Sequence, residues 1–292
     1  MDCGESGRCT YCIGYGETAG DDYCEWLGWR CCDGYCDLGE VIINPIAMKV
    51  VTFFMSKGGT GKTSFNIMFA SYLTYILGRR VLVLDVDFPE YNLYFYRERE
   101  KDDYLSKDKE LPENIYPIEQ VQNVSENHIR NVVSNLKRLD GAVDYVIVDF
   151  PGSFTSSDAI CRFIEEEALD LVVMPVEVDG MVMSSARSMA KVFKETGVKC
   201  MVFLNRVDYR QNESRYANVG EWFDSEGVTF SRNRVKGTAV LTKDMKDNGF
   251  VRSSLCFPMK KIMRENPGVV GLFEEVVRYV EMDEQDLFEP DR

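Results

Sequence analysis

Nine consecutive residues, Ser56–Ser64, constrain this chain more than any other stretch, because they read Ser-Lys-Gly-Gly-Thr-Gly-Lys-Thr-Ser. An apolar run, Val50–Met55, precedes them and a helix-like run, Phe65–Leu77, follows them. A strand, a glycine-rich turn and a helix in this order form the setting of a phosphate-binding loop. Glycines let the backbone curl around an anion, so that backbone N–H groups and the helix N-terminus face the phosphate oxygens.

The two lysines of this stretch predict a variant of the common phosphate-binding pattern. Lys62 would supply positive charge to the β- and γ-phosphates of a nucleotide, and the Thr63 hydroxyl is placed to hold Mg²⁺. The strict pattern requires glycine six residues before Lys62, where this chain has Ser56. It carries instead a second lysine, Lys57, at the start of the loop.

The composition limits the classes of protein to which this chain can belong. Its 292 residues, 45% of them apolar, suffice for one large domain with an appendage. It has no apolar run long enough to span a membrane and no secretory leader, so we expect a cytoplasmic protein without a membrane partner. The net charge of −14 argues against a broadly basic surface for nucleic acid. With one histidine, His128, neither a histidine-rich metal site nor Ser–His catalysis is expected.

Residues 1–47 differ in composition from the rest of the chain. They hold nine acidic and two basic residues, a net charge of −7, and seven of the ten cysteines. One interpretation is that they are upstream sequence and that Met48 is the natural start. Another is a small metal knuckle, in which enough thiolates for one Zn²⁺ come from Cys9, Cys12, Cys31 and Cys36. A disulfide-bonded segment is the third, which a reducing compartment disfavours. We therefore expect a division into residues 1–47 and 48–292.

From Met48 onward, apolar runs alternate with helical patterns. Strands are predicted at 50–55, 80–85, 144–149, 171–174 and 199–204, and helices at 63–77, 91–100, 125–139, 181–196 and 265–282. Residues 101–110 are predicted to form an exposed loop, and 207–250 show no clear pattern. Near-continuous apolar strands are typical of parallel sheets that are buried on both faces. The pattern predicts an α/β fold with a doubly wound, mostly parallel sheet.

Polar residues follow several of these strands. Asp85 and Asp87 end the second strand, Asp149 ends the third, and Asn205 ends a later one. Ligands of such sheets bind outside the carboxyl ends of the strands. We therefore expect the phosphate-binding loop, three carboxylates and an amide to converge on one edge of the sheet.

Together these motifs resemble the deviant Walker A ATPases of the ParA/MinD family, a branch of the P-loop NTPases. The resemblance covers most of residues 48–282 and is carried by Lys57–Ser64, Asp85-Val86-Asp87 with Pro89 and Asn92, Asp149-Phe150-Pro151-Gly152, and Asn205-Arg206. A narrower similarity, through residues 87–91 and 97–100, is to the ParA-type, TraA-like ATPases of conjugative transposons.

The resemblance implies ATP and Mg²⁺ as cofactors and a role for each motif. Lys57 would reach across an ATP-bound homodimer to the partner's phosphates. Asp87 would position or activate the attacking water, with Asp85 as a supporting acid. The implied nucleotide-binding set is Lys57, Gly58, Gly59, Thr60, Gly61, Lys62, Thr63, Ser64, Gly152, whose N–H would sense the γ-phosphate, and Asn205, which would read the adenine edge. The implied magnesium set is Thr63, Asp85 and Asp149.

Purely structural roles stay open as alternatives for some of these residues. Asp85 or Asp87 could serve only as a cap of the next helix, and Asn205 could be a polar turn residue. The chain also departs from the family where Phe88 separates Asp87 from the proline and Glu90 replaces a glutamine. This departure puts the division of roles between Asp85 and Asp87 in doubt.

The leading hypothesis is a slow, partner-stimulated ATPase that dimerises with ATP and acts in partition, maintenance or transfer of a plasmid or conjugative element. Non-specific DNA binding would use basic residues of the C-terminal third, Arg232, Arg234, Lys236, Lys243, Lys246, Lys260, Lys261 and Arg264. The alternative is a MinD-like positioning ATPase that acts on a protein or membrane partner without DNA. The acidic tail, residues 281–289, lacks the basic amphipathic pattern of a membrane helix.

Overall fold

A computed structural model shows how this chain folds. It describes residues 31–32, 35–36, 47–122, 125–152, 159–210, 216, 218–224, 227–237, 253–257, 262 and 264–282. The chain divides into two compact units, Met1–Pro45 and Ile46–Arg292. Within the described ranges, no helix is both long enough and apolar enough to cross a membrane.

The first unit contributes one described feature, a pair of two-residue strands, β1 (Cys31–Cys32) and β2 (Tyr35–Cys36). They pair antiparallel, with Cys31 opposite Cys36. Cys9 and Cys12 of the zinc hypothesis lie outside the described residues. Among the residues that are described, no group of three or more His, Cys, Asp or Glu could hold a metal ion. The zinc site and the nature of residues 1–47 stay predictions.

One seven-stranded sheet forms the centre of the second unit. Its strands are β3 (Lys49–Phe53), β4 (Val81–Asp85), β5 (Ile118–Gln120), β6 (Tyr145–Asp149), β7 (Leu171–Val176), β8 (Lys199–Val207) and β9 (Thr229–Lys236). Their order is β5-β4-β6-β3-β7-β8-β9, and every neighbouring pair is parallel. The predicted doubly wound α/β fold is thus confirmed. Since β3 is the central strand, the turn that follows it lies at the middle of the carboxyl edge.

The described helices of this unit connect or flank the strands. They are α1 (Lys62–Tyr75), α2 (Asn92–Ser106), α3 (Glu126–Lys137), α4 (Ala159–Glu165), α5 (Gly180–Thr196), α6 (Val219–Asp224) and α7 (Pro267–Glu281). Helices α1, α2 and α7 contribute to one hydrophobic core, and α3 to α6 contribute to the other. The helices therefore cover both faces of the sheet, as the doubly wound fold requires.

Strand β4 shows why its sequence is almost continuously apolar. Successive side chains of a strand point to opposite faces. Val81 and Val83 accordingly belong to the core under α1, and Leu82 and Leu84 belong to the other core. All five residues of β4 are buried, which leaves no position for a solvated side chain.

Aromatic contacts fix α1 on the central strand. The ring of Phe53 in β3 lies with its centroid 5.5 Å from those of Phe65 and Phe69 of α1 and 6.0 Å from that of Phe273 of α7. Such aromatic pairs add specific geometry to the burial of large apolar surfaces. They hold the first turns of α1, and with them the loop from which α1 starts.

The structure corrects the sequence-based elements in several places. Residues 101–106 are predicted to form a loop but continue α2. This part of the helix has few apolar residues, and the ion pairs Glu98–Lys101 and Asp103–Lys107, at helical spacing, stabilise it. Within the seven-stranded sheet, the sequence pattern does not predict the two strands β5 and β9. β5 has three residues, and β9 is an edge strand that buries Ser231 and Val235 among polar neighbours, so neither shows a strong apolar pattern.

Candidate nucleotide-binding site

The glycine-rich motif forms the turn between β3 and α1. Gly59 and Gly61 adopt φ values of 77° and 96°, which are left-handed values that favour glycine. A Cβ on Gly61 would also approach the Phe65 ring to 3.3 Å. Gly61 immediately precedes α1, whose first backbone N–H groups have no intrahelical acceptor. The turn therefore presents backbone N–H groups and the positive end of a helix to an anion.

Lys62, the first residue of α1, reaches the ends of neighbouring strands. A Cβ on Gly152 would lie 2.9 Å from the lysine Nζ, so glycine at this position leaves room for the ammonium group. Burial lowers the pKa of Lys62, and the negative charges of Asp149 and Asp87 oppose this shift. Lys62, Gly152 and both carboxylates thus lie together, as expected from the strand ends.

Asp149, the last residue of β6, is completely buried. Its Oδ1 accepts a hydrogen bond of 2.7 Å from Asn66, whereas its Oδ2 has no hydrogen-bond partner within the described ranges. Burial raises the pKa of Asp149 to about 7, the charges of Asp85 and Asp87 act in the same direction, and Asn66 and Thr63 oppose them. A buried carboxylate oxygen without a partner, close to a threonine hydroxyl, has the donor chemistry that Mg²⁺ or its water shell requires.

Asn66, which is fully buried in α1, belongs to the site although the sequence motifs do not include it. Its Oδ1 accepts a 2.8 Å hydrogen bond from the backbone N–H of Phe53, and its Nδ2 donates to Asp149. One amide therefore connects β3, α1 and β6 directly beneath the loop. The signal that could have revealed it is an uncharged polar residue within the otherwise apolar run of α1.

Asp85 is buried, and both of its oxygens accept backbone hydrogen bonds. Oδ2 accepts from the N–H groups of Leu93 and Tyr94 at 3.1 and 2.9 Å, and Oδ1 accepts from that of Asp87 at 3.2 Å. Burial raises the pKa of Asp85. Its contacts are those of a cap for the first turn of α2. The catalytic and magnesium roles of Asp85 stay predictions.

Asp87 lies two residues further on and is more accessible than Asp85. Its Oδ2 accepts a hydrogen bond of 3.3 Å from Asn92 at the start of α2, and its charge acts on Lys62. Of the two acids, Asp85 at the end of β4 and Asp87 just after it, Asp87 is therefore the one that is more available to a ligand.

Asn205 forms a hydrogen bond with the phosphate-binding loop in this structure. Its Nδ2 donates a 2.8 Å hydrogen bond to the carbonyl oxygen of Thr60, and its Oδ1 accepts one of 2.9 Å from the backbone N–H of Arg206. Thr60 itself is buried and donates its hydroxyl hydrogen to the carbonyl oxygen of Lys57. The predicted contact of Asn205 with adenine stays a prediction.

Lys57 forms an ion pair with Asp179, with 3.5 Å between Nζ and Oδ1. Asp179 caps α5 by accepting hydrogen bonds from the N–H groups of Met181 and Val182. The hydroxyl of Ser56, at the position of the missing glycine, lies 2.7 Å from that of another α5 residue, Ser185. The variant start of the loop is thus held against α5.

The fold and these contacts define the class of protein. A glycine-rich turn after the central strand of a parallel sheet, with Lys62, Thr63 and Asp149 beside it, characterises a P-loop nucleotide-binding protein, here of the deviant type with an additional lysine. The family model of the ATPase MipZ matches residues 49–217. Because this match spans more than half of the chain, the protein belongs to that family, within the ParA/MinD group of ATPases. Curated proteins gave no match.

Solved structures with the same fold include three proteins of this group. MinD in the MinC:MinD cell division protein complex of Aquifex aeolicus is 17% identical, with a TM-score of 0.58 and coverage of 78% of this chain and 96% of that chain. A putative plasmid partition protein of Borrelia burgdorferi B31, bound to AMPPNP, is 14% identical, with a TM-score of 0.55 and coverage of 78% and 99%. The pNOB8 ParA bound to nonspecific DNA is 17% identical, with a TM-score of 0.52 and coverage of 80% and 99%. At these identities the similarity shows the fold alone.

Proposed function

We propose that this protein binds ATP with Mg²⁺ and hydrolyses it. The observation that carries the proposal is the buried Asp149, which interacts with Thr63 and Lys62 and whose Oδ2 has no hydrogen-bond partner among the described residues. These groups fit a magnesium–nucleotide pair: Thr63 and Asp149 would hold the ion directly or through water, and Lys62 would bind the phosphates. AMPPNP bound to the Borrelia neighbour, and ADP with magnesium bound to the structurally similar cobyrinic acid a,c-diamide synthase of Mycobacterium smegmatis, support the choice.

In the proposed reaction, the residues of this chain mainly position and stabilise charge. When bound, Mg²⁺ supplies positive charge to the phosphate oxygens. Lys62 neutralises charge that develops on the transferred phosphoryl group, and the N–H groups of Gly61 and Gly152 donate to its oxygens. Asp87, accessible and oriented by Asn92, accepts a hydrogen bond from the attacking water and orients it.

We further propose that ATP binding drives dimerisation and that hydrolysis reverses it. In this arrangement Lys57 of each protomer reaches the phosphates of the other, which puts a cation where charge develops. The ion pair with Asp179 is weak, because the Lys57 side chain is 39% exposed and its Nζ lies 3.5 Å from Oδ1 of Asp179. Exposed pairs of this kind contribute little stability, so Lys57 can leave Asp179 at small cost.

For the cellular role we propose that the protein is cytoplasmic and acts in partition, maintenance or transfer of a plasmid or conjugative element. Its turnover would be slow until a protein partner stimulates it. The partition proteins and the DNA-bound ParA among the structural neighbours support this role, as does the narrower similarity to the ATPases of conjugative transposons. A MinD-like role in positioning a protein is the alternative, favoured by the MinC:MinD neighbour and by the net charge of −14.

Two substitutions separate nucleotide binding from hydrolysis. Lys62→Ala removes the phosphate-binding charge and should abolish binding of Mg²⁺–ADP, measured by isothermal titration calorimetry. Asp87→Ala should retain that binding but lower the rate of phosphate release from ATP by about 10²–10⁴-fold, because it removes the group that orients the water. Lys137→Ala and Asp102→Ala, at exposed positions of α3 and α2, serve as matched controls. Full turnover in both Lys62→Ala and Asp87→Ala would overturn the site assignment.

Retention of DNA discriminates between the two cellular roles. Arg232 and Lys236 are exposed on the edge strand β9, whereas Lys243, Lys246, Lys260 and Lys261 lie outside the described residues. For the partition role we expect DNA retention that requires ATP, weakens with salt and falls in a variant with both Arg232→Ala and Lys236→Ala. Absence of DNA binding at low salt would favour the positioning role.

A further inference from the structure

Strand β8 contains a bulge where it passes the phosphate-binding loop. Between the positions that pair with Arg234 and Lys236 of β9, it holds two residues, Asn205 and Arg206, where β9 holds one. Arg206 adopts a φ of 54°, a left-handed value that is unfavourable for a residue with a Cβ. Bulges beside functional sites redirect side chains, and here the bulge turns two consecutive side chains towards the loop.

Both side chains bind carbonyl oxygens of the loop. Arg206 donates from Nη2 to the carbonyl oxygen of Gly59 at 2.5 Å, and Asn205 donates from Nδ2 to that of Thr60 at 2.8 Å. The second arm of the guanidinium group, Nη1, donates to Oε1 of Glu177 at 2.8 Å. Glu177 directly follows β7, so the planar guanidinium group is held between the ends of two strands and the loop.

Holding these two carbonyl groups determines where two N–H groups point. In a planar trans peptide the C=O and the N–H lie on opposite sides of the chain. The carbonyl of Gly59 shares its peptide plane with the N–H of Thr60, and the carbonyl of Thr60 shares its plane with the N–H of Gly61. With both carbonyls drawn to the bulge, both N–H groups point away from it. Successive N–H groups presented in this way are what an anion-binding loop uses.

We propose that Arg206 is a positioning residue for phosphate binding and that Glu177 orients it. Arg206 acts through the loop: it fixes the Gly59–Thr60 peptide so that its N–H is presented to the phosphates before a nucleotide binds. The inference rests on the proposed nucleotide binding and extends it to two residues outside the phosphate-binding motif.

The bulge conformation permits a substitution that deletes the side chain without backbone strain. Glycine adopts the φ of Arg206 freely, so Arg206→Gly removes the guanidinium group and leaves the left-handed backbone unstrained. We expect about tenfold weaker binding of Mg²⁺–ADP, since one strong hydrogen bond that orients the loop is lost. Arg206→Lys should recover part of the loss, because an ammonium group retains one of the two contacts. Arg210→Ala, which removes an exposed pair with Asp208 at the same end of β8, should bind as the unchanged protein does.

Two further measurements identify positioning rather than general loosening of the fold. Glu177→Gln should weaken Mg²⁺–ADP binding by a smaller factor, and its effect should vanish when Arg206→Gly is also present, because both act through one contact. Inorganic pyrophosphate, which makes no base contact, should lose affinity for the Arg206→Gly variant by the same factor as ADP.

The outcomes separate this inference from the proposed function. If the unchanged protein binds neither Mg²⁺–ADP nor pyrophosphate, the proposed function fails. If it binds both and Arg206→Gly binds equally well, or loses affinity for ADP alone, the positioning role is overturned. Should Arg206→Gly not fold, Arg206→Lys and Glu177→Gln carry the test, and unchanged affinity in both would likewise overturn the role.

Discussion

A single buried amide, that of Asn66, holds together the parts of the candidate site. It satisfies the backbone N–H of Phe53 in β3 and one oxygen of Asp149 in β6 while lying in α1. Buried polar groups are costly when they lose their partners. Asn66 therefore stabilises the fold and fixes the carboxylate whose other oxygen lacks a hydrogen-bond partner among the described residues.

Replacing Asn66 should destabilise the protein strongly. We expect Asn66→Ala to lower the free energy of unfolding by about 2–4 kcal/mol, because a buried N–H and a buried carboxylate oxygen lose their partner. Urea denaturation monitored by circular dichroism measures the change. Asn135→Ala, at an exposed position of α3, should change the free energy by less than about 0.5 kcal/mol. A loss of that small size for Asn66→Ala would show that the amide does not hold the site.

The sequence predicted site residues that belong to a contiguous motif or follow a strand, such as Lys62, Asp87 and Asp149, and the structure brings these together. It does not predict the long-range contact of Asn66 or the roles of Arg206 and Asp179. Their partners lie 83 residues away for Asn66 and 147 residues away for Arg206. Such contacts follow from strand order and a bulge, which no local pattern encodes.

At the scale of elements, α2 is held at its first turn and at its middle. Asp85 caps its first turn, and its buried Arg97 and Glu100 bind the segment Ser253–Phe257. Arg97 also lies over the ring of Tyr116, 4.3 Å from its centroid. Two charged side chains of the Arg-Glu-Arg-Glu run at residues 97–100 therefore lie in the interior, where hydrogen bonds compensate the cost of burying them.

This burial gives Glu100 a distinct influence on stability. Burial raises the pKa of Glu100 above its ordinary value of 4.5, although hydrogen bonds from Ser253 and Ser254 and the charge of Arg97 oppose the shift. The folded state therefore binds the proton more tightly than the unfolded state does. It follows that the contribution of Glu100 to stability falls as pH rises from about 4.5 through the raised pKa, and is constant above it.

The pH dependence can be isolated with Glu100→Gln. Since glutamine does not titrate, the free energy of unfolding of this variant should fall less between pH 4.5 and pH 7 than that of the unchanged protein, as measured by urea denaturation at a series of pH values. Glu98→Gln, on the same helix with its side chain 43% exposed, should retain the original dependence. Parallel curves for Glu100→Gln and the unchanged protein would contradict the assignment.

Elements with strong apolar runs were predicted closely, as for β4, β6 and α5. The extension of α2 over residues 101–106 is not predicted, because ion pairs at helical spacing mark it rather than an apolar stripe. β9 was missed for a related reason: as an edge strand with mixed burial, it lacks the continuous apolar pattern of the central strands.

At the scale of the whole molecule, the sheet places the loop after its central strand, and the neighbouring strands bring Asp87, Asp149 and Asn205 to the same edge. The additional lysine, Lys57, distinguishes this edge from that of a general P-loop protein. Lys62 is a general feature of P-loop proteins, whereas Lys57 is specific to the deviant type and here forms an ion pair with Asp179. Its proposed role requires a second protomer, because Lys57 would act on the nucleotide that the other protomer binds.

The most direct test is ATP hydrolysis by Lys57→Ala, measured as phosphate release together with the oligomeric state from size-exclusion chromatography with light scattering. We predict that this variant binds Mg²⁺–ADP as well as the unchanged protein does, forms no ATP-dependent dimer and hydrolyses ATP at least about 10²-fold more slowly. Lys137→Ala should match the unchanged protein in all three measurements. Unaffected hydrolysis by Lys57→Ala would contradict the account and leave an ordinary P-loop NTPase.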